Sequence, residues 1–252
     1  MKRLFAILIA VMLAVPAFAA EDEAKLPHVN WPQDGMFGTY DRASLQRGYQ
    51  VYKQVCAACH AMKQLSYRDL ADLGYNEDQI KTLAAEVQVQ DGPDDAGNMF
   101  ERAGRPSDHF KAPFANEKAA RAANGGAYPK DLSLMIKARE GHADYVHALL
   151  TGFEDPPAGF KVPTGMYYNT YFPGHVIGMP PPLSADGLVS YADGTVATKD
   201  QMAKDVTEFL SWAAEPELET RKKMGLQVLI FLGFFAVAMY FVKKQIWKGV
   251  KH

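Results

Sequence analysis

Both cysteines of this 252-residue chain fall in one five-residue run, Cys56-Ala57-Ala58-Cys59-His60, inside "QVYKQVCAACHAMK". C-x-x-C followed directly by histidine is the attachment pattern for c-type haem. The two thiols add to the two vinyl groups on one edge of a porphyrin. A two-residue gap lets a single turn of chain reach both. The next residue then lies under the ring, where its imidazole can take the iron. A zinc site would need more soft ligands, and the chain has no other cysteine. A disulfide or a thioredoxin-like redox pair are the other uses of such a spacing.

Two apolar segments set the compartment. The first, "MKRLFAILIAVMLAVPAFAA", has Lys2 and Arg3, then an apolar run, then Ala17-Phe18-Ala19. That is the layout of a secretory signal peptide, read here as residues 1–19. The run is short for a membrane span and ends in Pro16. The second run, Met224 to Val242, has Gln227 as its only strongly polar member. At about 1.5 Å per residue it covers nearly 30 Å, the thickness of a hydrocarbon core. We read residues 221–243 as one transmembrane helix and 244–252 as a basic cytoplasmic tail, with the exported part, 20–220, between the two segments. Lys243, Lys244, Lys248 and Lys251 favour that orientation. Export also permits a disulfide at Cys56–Cys59.

The whole-chain charge is −2, but its distribution is uneven. All acidic residues lie between Glu21 and Glu219, and the exported part carries a net charge of −11. Such a surface steers a basic partner towards itself and argues against nucleic acid.

If His60 holds an iron, the opposite axial position separates an enzyme from an electron carrier. Left open, it can bind oxygen, peroxide or a substrate. Filled by methionine, it gives a six-coordinate iron of raised potential. Met62 is too near His60 to cross to the other face. Met36, Met99, Met135, Met166, Met179 and Met202 are the candidates in the exported part. Met179 stands out in "FPGHVIGMPPPLS", where three prolines stiffen the backbone and Gly178 permits close approach. His175, in the same loop, is the best histidine rival, and would lower the potential.

The periodicity predicts a helix in "DRASLQRGYQVYKQV", with Leu45, Tyr49, Val51, Tyr52 and Val55 on one face and Asp41 or Ser44 as its cap. A second, in "TKDQMAKDVTEFLSWAAEPE", opens on Thr198 with Gln201 three residues on, a capping-box pattern. Its stripe of Met202, Val206, Phe209, Leu210 and Ala213 is expected to cross the first helix, and Pro216 to end it. "LSYRDLADLG" and "NEDQIKTLAAEVQV" look helical. "DLSLMIKAREGHADYVHALLTGF" reads as two helices broken at Gly141. Residues 87–117 are rich in Gly, Pro and Asp and read as a long excursion.

Several blocks together carry a resemblance: "RGYQVYKQVCAACH", "VQDGPDDAGNMFERAGRPSDHF", "ARAANGGAYPKDLS", the run from Arg139 to Gly152, "YFPGHVIGMPPPL", and "AKDVTEFLSWAAEPE" followed by "RKKMGL". They resemble the cytochrome c1 family, the membrane-anchored haem subunits of the cytochrome bc1 complex, the quinol–cytochrome c reductase. The resemblance implies an all-α, cytochrome c-type haem domain with insertions and one C-terminal transmembrane helix; the bacterial-style signal places it in a bacterial inner membrane, with the haem domain in the periplasm. The resemblance also implies one covalent haem c that accepts an electron from a Rieske iron–sulfur protein and passes it to a soluble or tethered cytochrome c. Cytochrome b and membrane lipid are implied partners, in a dimeric complex. On the family pattern Cys56 and Cys59 bind haem covalently, while His60 and Met179 are the axial iron ligands. Arg139 matches the arginine that pairs with a haem propionate, a role a guanidinium fork suits. Asn124, Pro129 and Tyr145 match other haem-pocket positions. The chain departs from some relatives in having Pro129-Lys130 where they have paired prolines, and in lacking an extra bracing cysteine pair. A membrane-anchored haem enzyme with an open sixth position is the alternative reading.

Overall fold

A computed structural model describes residues 25–249, so the proposed signal at 1–19 and Lys251 lie outside the described residues. The chain is mostly helical. Helix α1 spans Arg42–Gln54 and buries Leu45, Tyr49, Val51 and Tyr52. Of the two candidate caps, Asp41 is the one used: its side chain accepts the Ala43 N–H. Ser44 is instead buried inside the helix packing. Helix α2 covers Glu77–Ala85 behind a complete capping box of Asn76 and Gln79. The strands Gln88–Asp91 (β1) and Phe100–Ala103 (β2) pair antiparallel. Helices α3 (Glu117–Ala123) and α4 (His142–Thr151) follow. Two short strands, Tyr167–Tyr168 (β3) and Val176–Ile177 (β4), pair antiparallel. Helices α5 (Lys199–Ala214) and α6 (Leu218–Trp247) complete the fold.

The centre is the crossing of α1 and α5. Gly48 makes it possible: a Cβ there would lie 2.1 Å from the Asp205 carbonyl oxygen and 2.7 Å from the Phe209 Cβ. Backbones this close let Tyr49, Tyr52, Phe110, Phe209 and Trp212 form one aromatic cluster, with centroid separations of 5.7–6.0 Å. A buried carboxylate pins the crossing. Asp205 accepts from Ser44 Oγ at 2.7 Å and from Arg47 Nη2 and Nε at 2.9 and 3.0 Å. Gln201 Nε2 joins the same carboxylate at 3.1 Å. Thr198 caps α5 by accepting the Gln201 N–H. The box is thus half made, because the Gln201 side chain goes to Asp205 instead of reaching back.

Three local expectations are corrected. The helix expected over 76–89 stops at Ala85, and the "VQV" end becomes β1. Alternating β-branched residues there suit a strand, and its hairpin packs back on α2. A Cβ on Gly104 would lie 2.4 Å from the Ala84 carbonyl oxygen. The excursion therefore contains a β-hairpin rather than only irregular chain. The helix expected in "LSYRDLADLG" is present, of the 3₁₀ type, over Tyr67–Leu73. Residues 131–140 form successive turns, not the first of two helices. Asp131 Oδ1 accepts from the Ser133 N–H at 2.9 Å, and the Leu132 N–H donates to the Ala61 carbonyl at 2.8 Å. Further along, the Met135 and Lys137 amides donate three residues back, to the Leu132 and Leu134 carbonyls, as in tight turns rather than an α-helix. Gly141 does mark the break, with α4 starting directly after it.

Helix α6 is long and apolar enough to be a candidate membrane span. Its first turn belongs to the domain: Leu218 is buried, and Glu219 accepts from the Tyr40 N–H and from Arg42. From Met224 onward its large apolar residues are exposed.

Candidate functional site

Cys56–Ala58 form a 3₁₀ turn at the end of α1. The Cys59 and His60 amides both donate to the Cys56 carbonyl, at 3.1 and 2.9 Å. The turn brings the Cys59 backbone round over Cys56, and His60 leaves at its exit. Neither cysteine is in a disulfide. Burial, then the neighbouring Cys59, pushes the Cys56 thiol up to about 12.

His60 is oriented by its surroundings. Its Nδ1 lies 2.7 Å from the Lys130 carbonyl oxygen, which fixes the Nδ1–H tautomer and leaves Nε2 as the ligating nitrogen. Burial lowers the imidazole pKa, against smaller opposing effects of the Lys130 carbonyl and Asp131. The neutral ring is the form a metal requires. The donor set thus fits a c-type haem: two unbonded thiols on one turn and one neutral imidazole held by a backbone carbonyl.

The segment Ala127–Lys130 also touches the methionine loop. A Cβ on Gly178 would lie 3.2 Å from the Ala127 Cβ and 3.6 Å from the Met166 Sδ. Hence the chain that orients His60 packs, three residues earlier, against the residue preceding Met179. Met179 itself is half-buried, just past β4. Of its rivals, Met202 is in the core. Met36 and Met99 stand out at loop tips, 62% and 53% exposed. Met166 sits beside Gly178. Met135 is half-buried in the 131–140 turns. His175 is committed to an aromatic stack, 5.6 Å from the Tyr168 ring at 21° and edge-on to Phe160.

The remaining predicted residues fall in two groups. Asn124 ends α3, with its Nδ2 donating to the Ala120 carbonyl at 2.7 Å, and Pro129 adjoins Lys130. Arg139 neighbours Tyr145, whose hydroxyl pKa is raised by burial and partly offset by that guanidinium. Among the described residues no hydrogen bond links this second pair to His60. The sequence reading missed Lys130, because a backbone carbonyl leaves no side-chain signature. It also missed Asn169, fully buried, whose Nδ2 donates to the Leu149 carbonyl at 2.8 Å. Its Oδ1 accepts the Tyr171 and Phe172 N–H groups at 3.0 and 3.1 Å. Its own N–H donates to the His175 carbonyl. This residue ties α4 to the loop that leads into Met179. The only hint of it is a turn-forming residue in "YYNTYFP".

Comparison with known proteins agrees with this geometry. Residues 31–250 match the model of the Cytochrome C1 family. The chain is 51% identical to cytochrome c1 of Rhodospirillum rubrum, over 94% of this chain and 92% of that protein. It is 50% identical to a mitochondrial cytochrome c1 haem protein of Arabidopsis thaliana, over 95% of this chain and 79% of that one. It is also 51% identical to a protein of Bradyrhizobium diazoefficiens named cytochrome b/c1, over 92% of this chain and 37% of that protein. With the paired-thiol turn, the oriented imidazole and a match along nearly its whole described length, the chain belongs to the cytochrome c1 family.

Proposed function

We propose that this chain is the membrane-anchored electron-carrying subunit of a quinol–cytochrome c reductase, the cytochrome bc1 complex. The observation that carries the reading is the Cys56–His60 turn with its imidazole fixed by Lys130, in a chain of this family. Covalent haem c supplies a one-electron ferric–ferrous couple. Cys56 and Cys59 would hold it by thioethers, and His60 Nε2 and Met179 would ligate the iron. Arg139 neutralises a propionate, and Asn124, Pro129 and Tyr145 wall the pocket. With His60 and Met179 both given to the iron, the domain would make and break no substrate bond and would not be catalytic alone.

The electron comes from a Rieske iron–sulfur protein and leaves to a soluble or tethered cytochrome c. Cytochrome b is the membrane partner, which the name of the Bradyrhizobium relative supports. Residues 1–19 are the cleaved signal, 20–220 the periplasmic domain, 221–243 the span and 244–252 the cytoplasmic tail, in a bacterial inner membrane. The complex is dimeric.

A redox titration of Met179→Leu beside the wild type tests the assignment. The expected result is a large fall in potential, with loss of the near-infrared methionine–iron band and new binding of carbon monoxide to the reduced form. An unchanged potential and spectrum would remove Met179 from the iron.

A further inference from the structure

The segment from Gln33 to Arg42 runs along the start of α6 in a definite direction. Arg42 forks onto Glu219 at 2.9 and 3.0 Å, and the Tyr40 N–H donates to the same carboxylate at 2.8 Å. Three residues further along the helix, Lys222 Nζ donates to the carbonyls of Gln33 and Gly38, at 2.5 and 3.1 Å. Going back along the chain from Arg42 to Gly38 therefore means going along α6 from Glu219 to Lys222. The next step on that path is the turn 34–37, and the next part of the helix is the apolar run from Met224.

The tip of this turn carries two adjacent large apolar side chains, Met36 and Phe37, 62% and 76% exposed. Its base is firm. Trp31 and Tyr40 are buried, and the Thr39 N–H closes onto the Pro32 carbonyl at 3.1 Å. Gly38 has no space for a side chain, since a Cβ would lie 2.0 Å from the Asp34 carbonyl oxygen. A rigid turn does not place Met and Phe in water without cost. The level at which it projects is that of Arg221, Lys222 and Lys223, basic residues of the kind that mark a headgroup layer.

We propose that the 34–37 turn is a membrane-interface anchor, with Met36 and Phe37 seated at the headgroup–acyl boundary of the leaflet that α6 enters. The partner is the phospholipid surface. The inference rests on reading α6 as a membrane span. One helix alone leaves the domain free to tilt over the bilayer. The turn adds a second contact, and Lys222 ties its depth to that of the helix.

The test uses the full-length, haem-loaded chain in phospholipid nanodiscs. With Cys56 and Cys59 taken up by haem, Phe37→Cys offers one thiol for a nitroxide. Control labels go at Phe235→Cys in the apolar run and at Val196→Cys, 74% exposed near the start of α5. That end is about 24 Å from Ala214 by helical rise. At position 37 the label is expected to collide more with oxygen than with a water-soluble nickel chelate, as at 235 and the reverse of 196. Nickel preference at 37 with oxygen preference at 235 puts the turn in water and overturns the anchor. Nickel preference at both positions overturns the span reading, and the anchor with it.

Discussion

Asn169→Ala is expected to loosen the Met179 loop while leaving the Cys56–His60 turn in place. The substitution removes three hydrogen bonds at a fully buried side chain, at 2.8, 3.0 and 3.1 Å. It leaves the Leu149 carbonyl and the Tyr171 and Phe172 amides without their partner. A deeply buried orphan costs about 1–3 kcal/mol. Leu149, Tyr171 and Phe172 are themselves half-buried, so water reaches part of what is lost. A net weakening of about 3 kcal/mol is the reasonable middle value, and it raises the open population of the loop about a hundredfold. The assay is carbon monoxide binding to the reduced protein, followed optically, beside a thermal melt. Binding is expected in Asn169→Ala and not in the wild type. Gly48→Ala is the control, because it strains the α1–α5 crossing and not the loop. It should lower the melting temperature without admitting carbon monoxide to the folded protein. If Asn169→Ala melts like the wild type and stays closed to carbon monoxide, Asn169 is not what holds the loop. If both variants bind carbon monoxide, the effect is general loosening and the argument for a local tether is wrong.

Further expectations are open to simple measurement. Gly48→Ala itself should destabilise the domain by at least about 1–3 kcal/mol, the usual range for overpacking, since the new Cβ would meet backbone at 2.1 Å; a two-state denaturant curve reads this directly. Hydrogen bonding from Arg102, the largest cause, holds the Asp108 carboxyl down to about 2, below the ordinary carboxylate value. Because the folded value is depressed, the contribution is complete above about pH 4 and fades as pH falls towards 2. Amide protection across Gln88–Ala103, corrected for intrinsic exchange, should drop in that window, and Asp108→Asn should flatten the drop. Protection independent of pH in the wild type would count against the ion pair. Finally, the net charge of −11 on residues 20–220 predicts that electron transfer to a basic cytochrome c slows as salt rises. A rate flat with ionic strength would rule out electrostatic docking.

The features legible in the sequence were those written in local code. Asp41 and Thr198 cap α1 and α5 where the capping rules place them, and the apolar stripe of each helix is buried, although α5 also buries Asp205, Thr207, Glu208 and Ser211. The apolar run of α6 and the spacing of Cys56, Cys59 and His60 needed no partner to be read. What escaped was decided by distant contacts. Nothing local marks Gly48 as the point where α5 is laid against α1. Residues 131–140 have helix-forming side chains, but Leu132 is tied to Ala61 and the amides of Met135 and Lys137 then bond three residues back, in successive turns. The β1–β2 hairpin rests on pairing across eight intervening residues that carry turn signals but no strand pattern.

The two residues assigned to the iron are held by different kinds of structure. His60 follows its cysteine on one tight turn, and its ring is set by a single carbonyl. Met179 lies 119 positions later in the chain. Its loop is placed by the β3–β4 pairing, the Asn169 bonds, the His175 stack and the packing of Gly178 on Ala127. The shared element is Ala127–Lys130, which meets His60 through the Lys130 carbonyl and the methionine loop through Ala127 at Gly178. Because Lys130 acts on His60 through its carbonyl, its side chain is free to vary, and here it extends over the Tyr128 ring at 5.3 Å. This accounts for how the sequence can depart from paired prolines at that point and keep the ring oriented. It also follows that a change in the backbone path of 127–130 acts on both sides of the proposed iron at once, whereas a change in 169–178 acts on one.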